Sequence, residues 1–155
     1  MRIVILGSGT GSNAEAILKS SAEGQLDGTE VVGVFSDVED SNILKHSKVY
    51  NVPAIYLDPG SQNSIITQEL EENWIQEIKS LNPDLIVLAG FMRILSKKIL
   101  LEFNYKVINL HPSLLPSFPG LHSIEKAFNK KVKITGCTVH WVNEEIDEGE
   151  IIAQV

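Results

Sequence analysis

A chain of 155 residues suffices for one domain with a real core, and 43% hydrophobic against 21% charged residues is an ordinary globular balance. A net charge of −7 argues against a nucleic-acid surface, which carries a basic face, while leaving room for a local site that holds one phosphate. The lone Cys137 permits no internal disulfide, the opening run 1–6 is too short for a signal core, and no apolar run reaches the roughly 18 residues of a membrane span; a cytoplasmic protein without nucleic-acid or membrane partners is expected.

The first strand-like run, residues 2–6, leads directly into Gly7-Ser8-Gly9-Thr10-Gly11-Ser12-Asn13. A helical pattern follows over 13–22, with Ala14, Ile17 and Leu18 on one side. Glycines accept positive φ and let a ligand approach the backbone, and a helix N-terminus offers free N–H groups to an anion. The spacing is Gly-x-Gly-x-Gly, whereas the dinucleotide fingerprint has its third glycine where Ser12 stands. The ribose-binding acid of that fingerprint is also unclear, since Asp37 comes late, after Phe35-Ser36. The turn therefore reads as a site for a small phosphate monoester, with a plain strand-to-helix turn capped by Ser12 or Asn13 as the competing reading.

Residues 31–35 and 54–57 are further short strands. The strongest helical pattern spans 64–81, where Ile66, Leu70, Trp74 and Ile78 recur every four residues with Ile75 beside them, and Asn82-Pro83 ends it. Runs 85–89 and 107–110 are again strand-like. Continuous apolar strands indicate a sheet covered on both faces, and strand–helix alternation indicates parallel pairing. From Lys133 the rhythm changes: 134–142 and 150–155 are separated only by an acidic loop, as in an antiparallel hairpin. The fold expected is α/β and Rossmann-like, a mostly parallel sheet with helices on both faces and an antiparallel edge near the C-terminus.

Asn109 and His111 close the 107–110 strand, and Asp147 sits in the acidic loop. An amide can hold an oxyanion, an imidazole can hold or move a proton, and a carboxylate can orient the imidazole, which is the equipment of an acyl-type transfer. The glycine turn, residues 90–95, Asn109-Leu110-His111 and the acidic loop all fall at strand carboxyl ends, where open α/β sheets bind ligands. His46 reads as a solvated helix-face residue and His122 as loop packing; His140 stands between half-buried packing and a ligand role. Glu144, Glu145, Glu148 and Glu150 read as a solvated acidic loop, and no metal is expected, since the histidine spacings match no compact zinc pattern.

Residues 90–95, 109–116, Pro119-Gly120-Leu121-His122, Gly136-Cys137-Thr138-Val139-His140 and 147–152 resemble the folate-dependent formyltransferases, and the likeness runs over 1–155. Within that group it is strongest to the members acting on glycinamide ribonucleotide in purine synthesis. The resemblance implies transfer of a formyl group from 10-formyltetrahydrofolate to the amine of glycinamide ribonucleotide. It implies catalytic roles for Asn109, His111 and Asp147, phosphate binding by Gly11, Ser12 and Asn13, an amine end at Gly90, and a folate pocket lined by Met92, Arg93, Leu95, His140 and Val142. Methionyl-tRNA formyltransferases share several of these motifs but usually carry an Arg-Gly pair where Pro119-Gly120 stands. They, another formyl transfer or hydrolysis, and a shortened non-catalytic module that holds folate or phosphate are the alternatives. Members of the family continue into further sheet and a long C-terminal helix, so 1–155 reads as a single formyltransferase domain lacking that segment.

Overall fold

Short β-branched runs bounded by glycine, asparagine and aspartate fold into seven strands, and the amphipathic segments between them into five helices. The computed structural model describes residues 1–155. In chain order the elements are β1 (Arg2–Leu6), α1 (Ser12–Ala22), β2 (Glu30–Ser36), α2 (Asn42–Val49), β3 (Ala54–Tyr56) and α3 (Gln68–Ser80). They continue with β4 (Leu85–Leu88), α4 (Lys97–Glu102), β5 (Val107–His111), α5 (Ser123–Asn129), β6 (Thr138–Trp141) and β7 (Ile151–Gln154). One sheet runs β3-β2-β1-β4-β5-β6-β7. The first five strands in that order pair in parallel, and β6 and β7 add antiparallel pairs at one edge. No helix is long and apolar enough to cross a membrane.

The two-residue period of the strands divides the core in two. Val4, Leu6, Ile86 and Leu88 point to a cluster filled by Trp74, Ile75 and Ile78 of α3 and Ile99 and Leu100 of α4. Ile3, Ile5, Val87 and Ala89 point to a second cluster with Ala14 and Leu18 of α1 and Ile43 and Leu44 of α2. Both faces are therefore covered, which is why these strands read as unbroken apolar runs.

Three features depart from the sequence reading. The long helix starts at Gln68, because Ile65 is held in an isolated bridge to Ile94 and Ile94 N–H donates to Ser64 O. Residues 134–137 lie outside β6, with Ile134 exposed. Helices α2, α4 and α5 have 8, 6 and 7 residues, too few turns for a period to stand out.

The sheet order places the site. From β1 the chain proceeds outward to β2 and β3, then returns to β1's other side with β4 and β5. The crevice at such a reversal, beyond the strands' carboxyl ends, is where this architecture binds ligands.

Candidate active site

The glycine turn opens into this crevice from β1. Gly11 has φ 78°, and a Cβ there would lie 2.7 Å from the Ile43 Cα, so only glycine lets α1 start this close to α2. Helix α1 has no side-chain cap, which sets aside the capped-turn reading. The first-turn N–H groups of any helix lack intrahelical acceptors, so exposed Ser12 and Asn13 present donors and a positive dipole end to an anion. The turn is tied to the next strand's loop: Ser8 N–H donates to Gly90 O at 3.0 Å, and Met92 N–H donates to Ser8 Oγ at 2.9 Å. Gly90 has φ 74°, and a Cβ added there would meet nothing within 4 Å, so open space lies beside it. The β2-end carboxylate that a dinucleotide ribose needs is already engaged, since Asp37 Oδ2 accepts from Arg93 Nε at 2.6 Å.

Two strands away, β5 and β6 bring four side chains together. Pairing of Asn109 with His140 and of His111 with Thr138 faces β5's last residues with the start of β6. The β6–β7 turn then returns Asp147 over them. Asp147 adopts φ 56°, and Gly149 follows because a Cβ there would collide with the Trp141 carbonyl. Asp147 bridges two histidines: Oδ2 lies 3.2 Å from His111 Nδ1, and Oδ1 lies 3.6 Å from His140 Nε2. The Gly120 N–H donates to Oδ2 at 2.7 Å, and the Asn109 amide donates to Oδ1 at 3.4 Å. That amide nitrogen also lies 3.2 Å from His140 Nε2.

Hydrogen bonds to backbone carbonyls, which only accept, assign one proton on each ring. The Trp141 carbonyl lies 2.8 Å from His140 Nδ1, and the Phe118 carbonyl lies 2.9 Å from His111 Nε2, so both nitrogens carry hydrogen. The hydrogen bond to Asp147 raises the pKa of His140 above the usual histidine value, against a burial that pushes the other way; Trp141's carbonyl and Asp147's charge add to the rise. The same bond lowers Asp147's pKa, again against burial, with help from the Gly120 N–H and the two histidines. The arrangement thus holds an ionised carboxylate against two rings in a nearly dry pocket, with His140 only 2% exposed.

The remaining sequence-derived residues divide by what they touch. Met92 is 57% exposed, Val142 is partly buried, and Leu95 is packed in the α3–α4 core cluster. The Arg93 guanidinium faces away from that edge, bonded to Asp37 and to the carbonyls of Gln62 and Ile65. His140 belongs to the carboxylate cluster rather than to an open wall. His46 lies 3.3 Å from Glu15 across α1 and α2, and His122, expected as loop packing, has a 74% exposed side chain.

Several contributors were not legible in the sequence. The fully buried Thr138 hydroxyl donates to Ser113 O at 2.7 Å and accepts from Leu115 N–H at 3.0 Å, pinning the loop that follows His111. Gln154 Nε2 reaches both Leu115 O and Thr138 Oγ1 from β7. The Gly120 N–H and Phe118 carbonyl act through the backbone, which leaves no residue-type signal. Thr138 did carry one, being a hydroxyl opposite His111 on a paired strand.

A family model described as formyl transferase matches residues 1–155. The phosphoribosylglycinamide formyltransferase of Bacillus subtilis (strain 168) is 35% identical over 153 residues, covering 99% of this chain and 77% of that protein. A segment of the trifunctional purine biosynthetic protein adenosine-3 of Drosophila melanogaster is 37% identical over 157 residues, covering 99% of this chain and 11% of that protein. The crystal structure of glycinamide ribonucleotide transformylase 1 from Symbiobacterium toebii superposes with a TM-score of 0.92 at 36% identity, covering 100% of this chain and 72% of that one.

Proposed function

Because the chain belongs to the formyl transferase family, we propose that it moves a formyl group from 10-formyltetrahydrofolate to the amine of glycinamide ribonucleotide, a step of purine biosynthesis. The observation that carries the proposal is the Asn109–His111–His140–Asp147 cluster at the end of β5, two parallel strands from an uncapped, glycine-led helix start at the same end of the sheet. The first gives donors for a developing oxyanion and a base to accept a proton, and the second gives a seat for a phosphate.

The substrate phosphate lies against the N–H groups of Gly11, Ser12 and Asn13, and its amine reaches the open space beside Gly90. Folate, when bound, supplies the formyl group on N10. The exposed Met92 side chain, the partly buried Val142 and the backbone of 92–95 fit an apolar ring with hydrogen-bonding edges. The amine attacks as the neutral base, a carbon–nitrogen bond forms, and negative charge grows on the formyl oxygen. Asn109 Nδ2 and His111 Nε2 turn their hydrogens to that oxygen. Asp147 keeps His111 oriented and takes up the amine's proton through water, and N10 receives a proton as the old carbon–nitrogen bond breaks.

The test is a spectroscopic formyl-transfer assay with the two substrates, run beside Asp147→Asn. Turnover in the native chain that drops by about 10²–10³ in the variant, the scale of losing one preorganised charge-stabilising group, is the expected outcome. A folded native chain that forms no product overturns the assignment, and near-normal turnover in the variant removes Asp147 from it.

A further inference from the structure

Asp37 is buried at the end of β2, outside the phosphate turn and outside the catalytic cluster, yet it holds the arginine of the proposed folate loop. Its Oδ2 accepts from Arg93 Nε at 2.6 Å, with the two side chains 4% and 12% exposed. The other guanidinium arm donates from Nη1 to the Gln62 carbonyl and, at 3.1 Å, to the Ile65 carbonyl. One planar group therefore joins three segments: the end of β2, the 59–67 loop and the 90–95 loop.

The same two loops are joined a second time through the backbone. Ile65 and Ile94 form a parallel bridge, and Ile94 N–H donates to Ser64 O at 2.9 Å. On its other side the 90–95 loop is fastened to the glycine turn by Ser8. From the 90–95 loop it is the Arg93 side chain that reaches the end of β2, and Asp37 meets it there.

The pair is poorly built for stability. Asp37 Oδ1 is buried with no hydrogen-bond partner, and an unsatisfied carboxylate oxygen disfavours folding. A buried ion pair whose second oxygen is unsatisfied is better explained by what it orients than by what it stabilises. A guanidinium fork is directional, and a carboxylate on a central strand is a rigid place to fix it.

We propose that Asp37 is a positioning residue for folate binding: through Arg93 it sets the backbone of residues 90–95 in the conformation that the pterin requires. The proposal rests on the folate reading of that loop. Asp37 lies outside both proposed ligand seats, and the phosphate turn, though joined to the 90–95 loop through Ser8, is also held against α2 where Gly11 packs on Ile43.

The experiment is calorimetric titration of the full chain with 10-formyl-5,8-dideazafolate and, separately, with glycinamide ribonucleotide, for the native protein, Asp37→Asn, Arg93→Lys and the double variant. The expected result is a rise in the folate-analogue Kd of about tenfold in each single variant and no further rise in the double, the mark of two groups acting as one unit. The ribonucleotide Kd rises clearly less than the folate-analogue Kd, because its phosphate seat at residues 11–13 lies off the 90–95 loop and is also held against α2. Arg93→Lys retains the charge but loses the fork, so it carries the test if Asp37→Asn does not fold. Unchanged folate affinity in a folded variant, even one with a lowered melting temperature, overturns the proposal and leaves the transferase reading standing. Equal weakening of both ligands also overturns it. A native chain that binds no folate analogue overturns both.

Discussion

Asp147's two oxygens have different partners, and this decides what its removal does. Oδ2 faces His111 and the Gly120 N–H, while Oδ1 faces His140 and Asn109. Asp147→Asn keeps the shape but turns an acceptor-only group into a partial donor, which disturbs both histidines. His111→Ala deletes one of the two proposed oxyanion donors outright. We expect it to lower kcat by about 10²–10³ with far-UV circular dichroism unchanged, and a loss under about tenfold would place His111 outside the chemistry. The same cluster predicts a pH signature. His140's pKa is raised, so its contribution is complete below the ordinary histidine value and is lost as pH rises through the raised one. Asp147's is lowered, so its contribution is complete above the ordinary carboxylate value and is lost as pH falls through the lowered one. The melting-temperature difference between the native chain and Asp147→Asn should therefore be largest between about pH 4 and 6.5 and shrink on both sides; a flat difference would contradict the pairing. At this scale Asn109 and His111 were conspicuous as polar side chains at the end of an apolar strand, whereas Asp147 stood out from its acidic loop only through the resemblance to the family. Asp37 was not legible, because its partner Arg93 lies 56 positions away.

At the scale of elements, the turn from β1 into α1 shows how a backbone requirement becomes a ligand site. Gly11 needs positive φ and has Ile43's backbone where a side chain would begin, whereas a Cβ on exposed Gly9 would meet nothing within 4 Å. Gly11→Ala should destabilise the fold by about 2–4 kcal/mol, from left-handed strain together with overpacking against α2. Gly9→Ala should stay within about 0.5 kcal/mol. Urea denaturation of the pair checks this, and equal effects would show that the turn relaxes. Five parallel strands were readable as unbroken apolar runs, and the long helix from its four-residue recurrence. The start of α3 was not, because Ile65 and Ile66 continue the apolar pattern while the chain there is extended and bridged to Ile94. The three short helices were missed because fewer than three turns display no reliable stripe.

Across the whole molecule, protection follows the sheet order. β1 and β4 lie inside the sheet with both faces covered, whereas every residue of β7 is exposed. Hydrogen exchange should find amides 4–6 and 86–88 opening only with global unfolding, and those of β7 exchanging orders of magnitude faster through local fraying. Comparable protection in β7 would contradict this gradient. The fold class was legible because strand–helix alternation admits few topologies. The convergence of the glycine turn, residues 90–95 and Asn109–His111 was legible too, since each closes a parallel strand at its carboxyl end, whereas the acidic loop follows antiparallel β6 and joins them by folding back. The tertiary stitching by Arg93 and Gln154 was not legible, because it depends on long-range contacts that no local period records.

The Phe118 carbonyl on His111 Nε2 carries one more consequence. A peptide carbonyl has the geometry and polarity of an unreacted formyl group, so in the proposed reaction the Phe118 carbonyl stands where the formyl oxygen would bind. Entry of the formyl oxygen exchanges one neutral acceptor for another and leaves the number of hydrogen bonds unchanged, so it adds little to affinity. As the oxygen becomes anionic, the bond strengthens in a way that the backbone carbonyl cannot match. On the proposed function, the imidazole would therefore discriminate between a carbonyl that is waiting and one that is reacting, directing its free energy to rate rather than to binding.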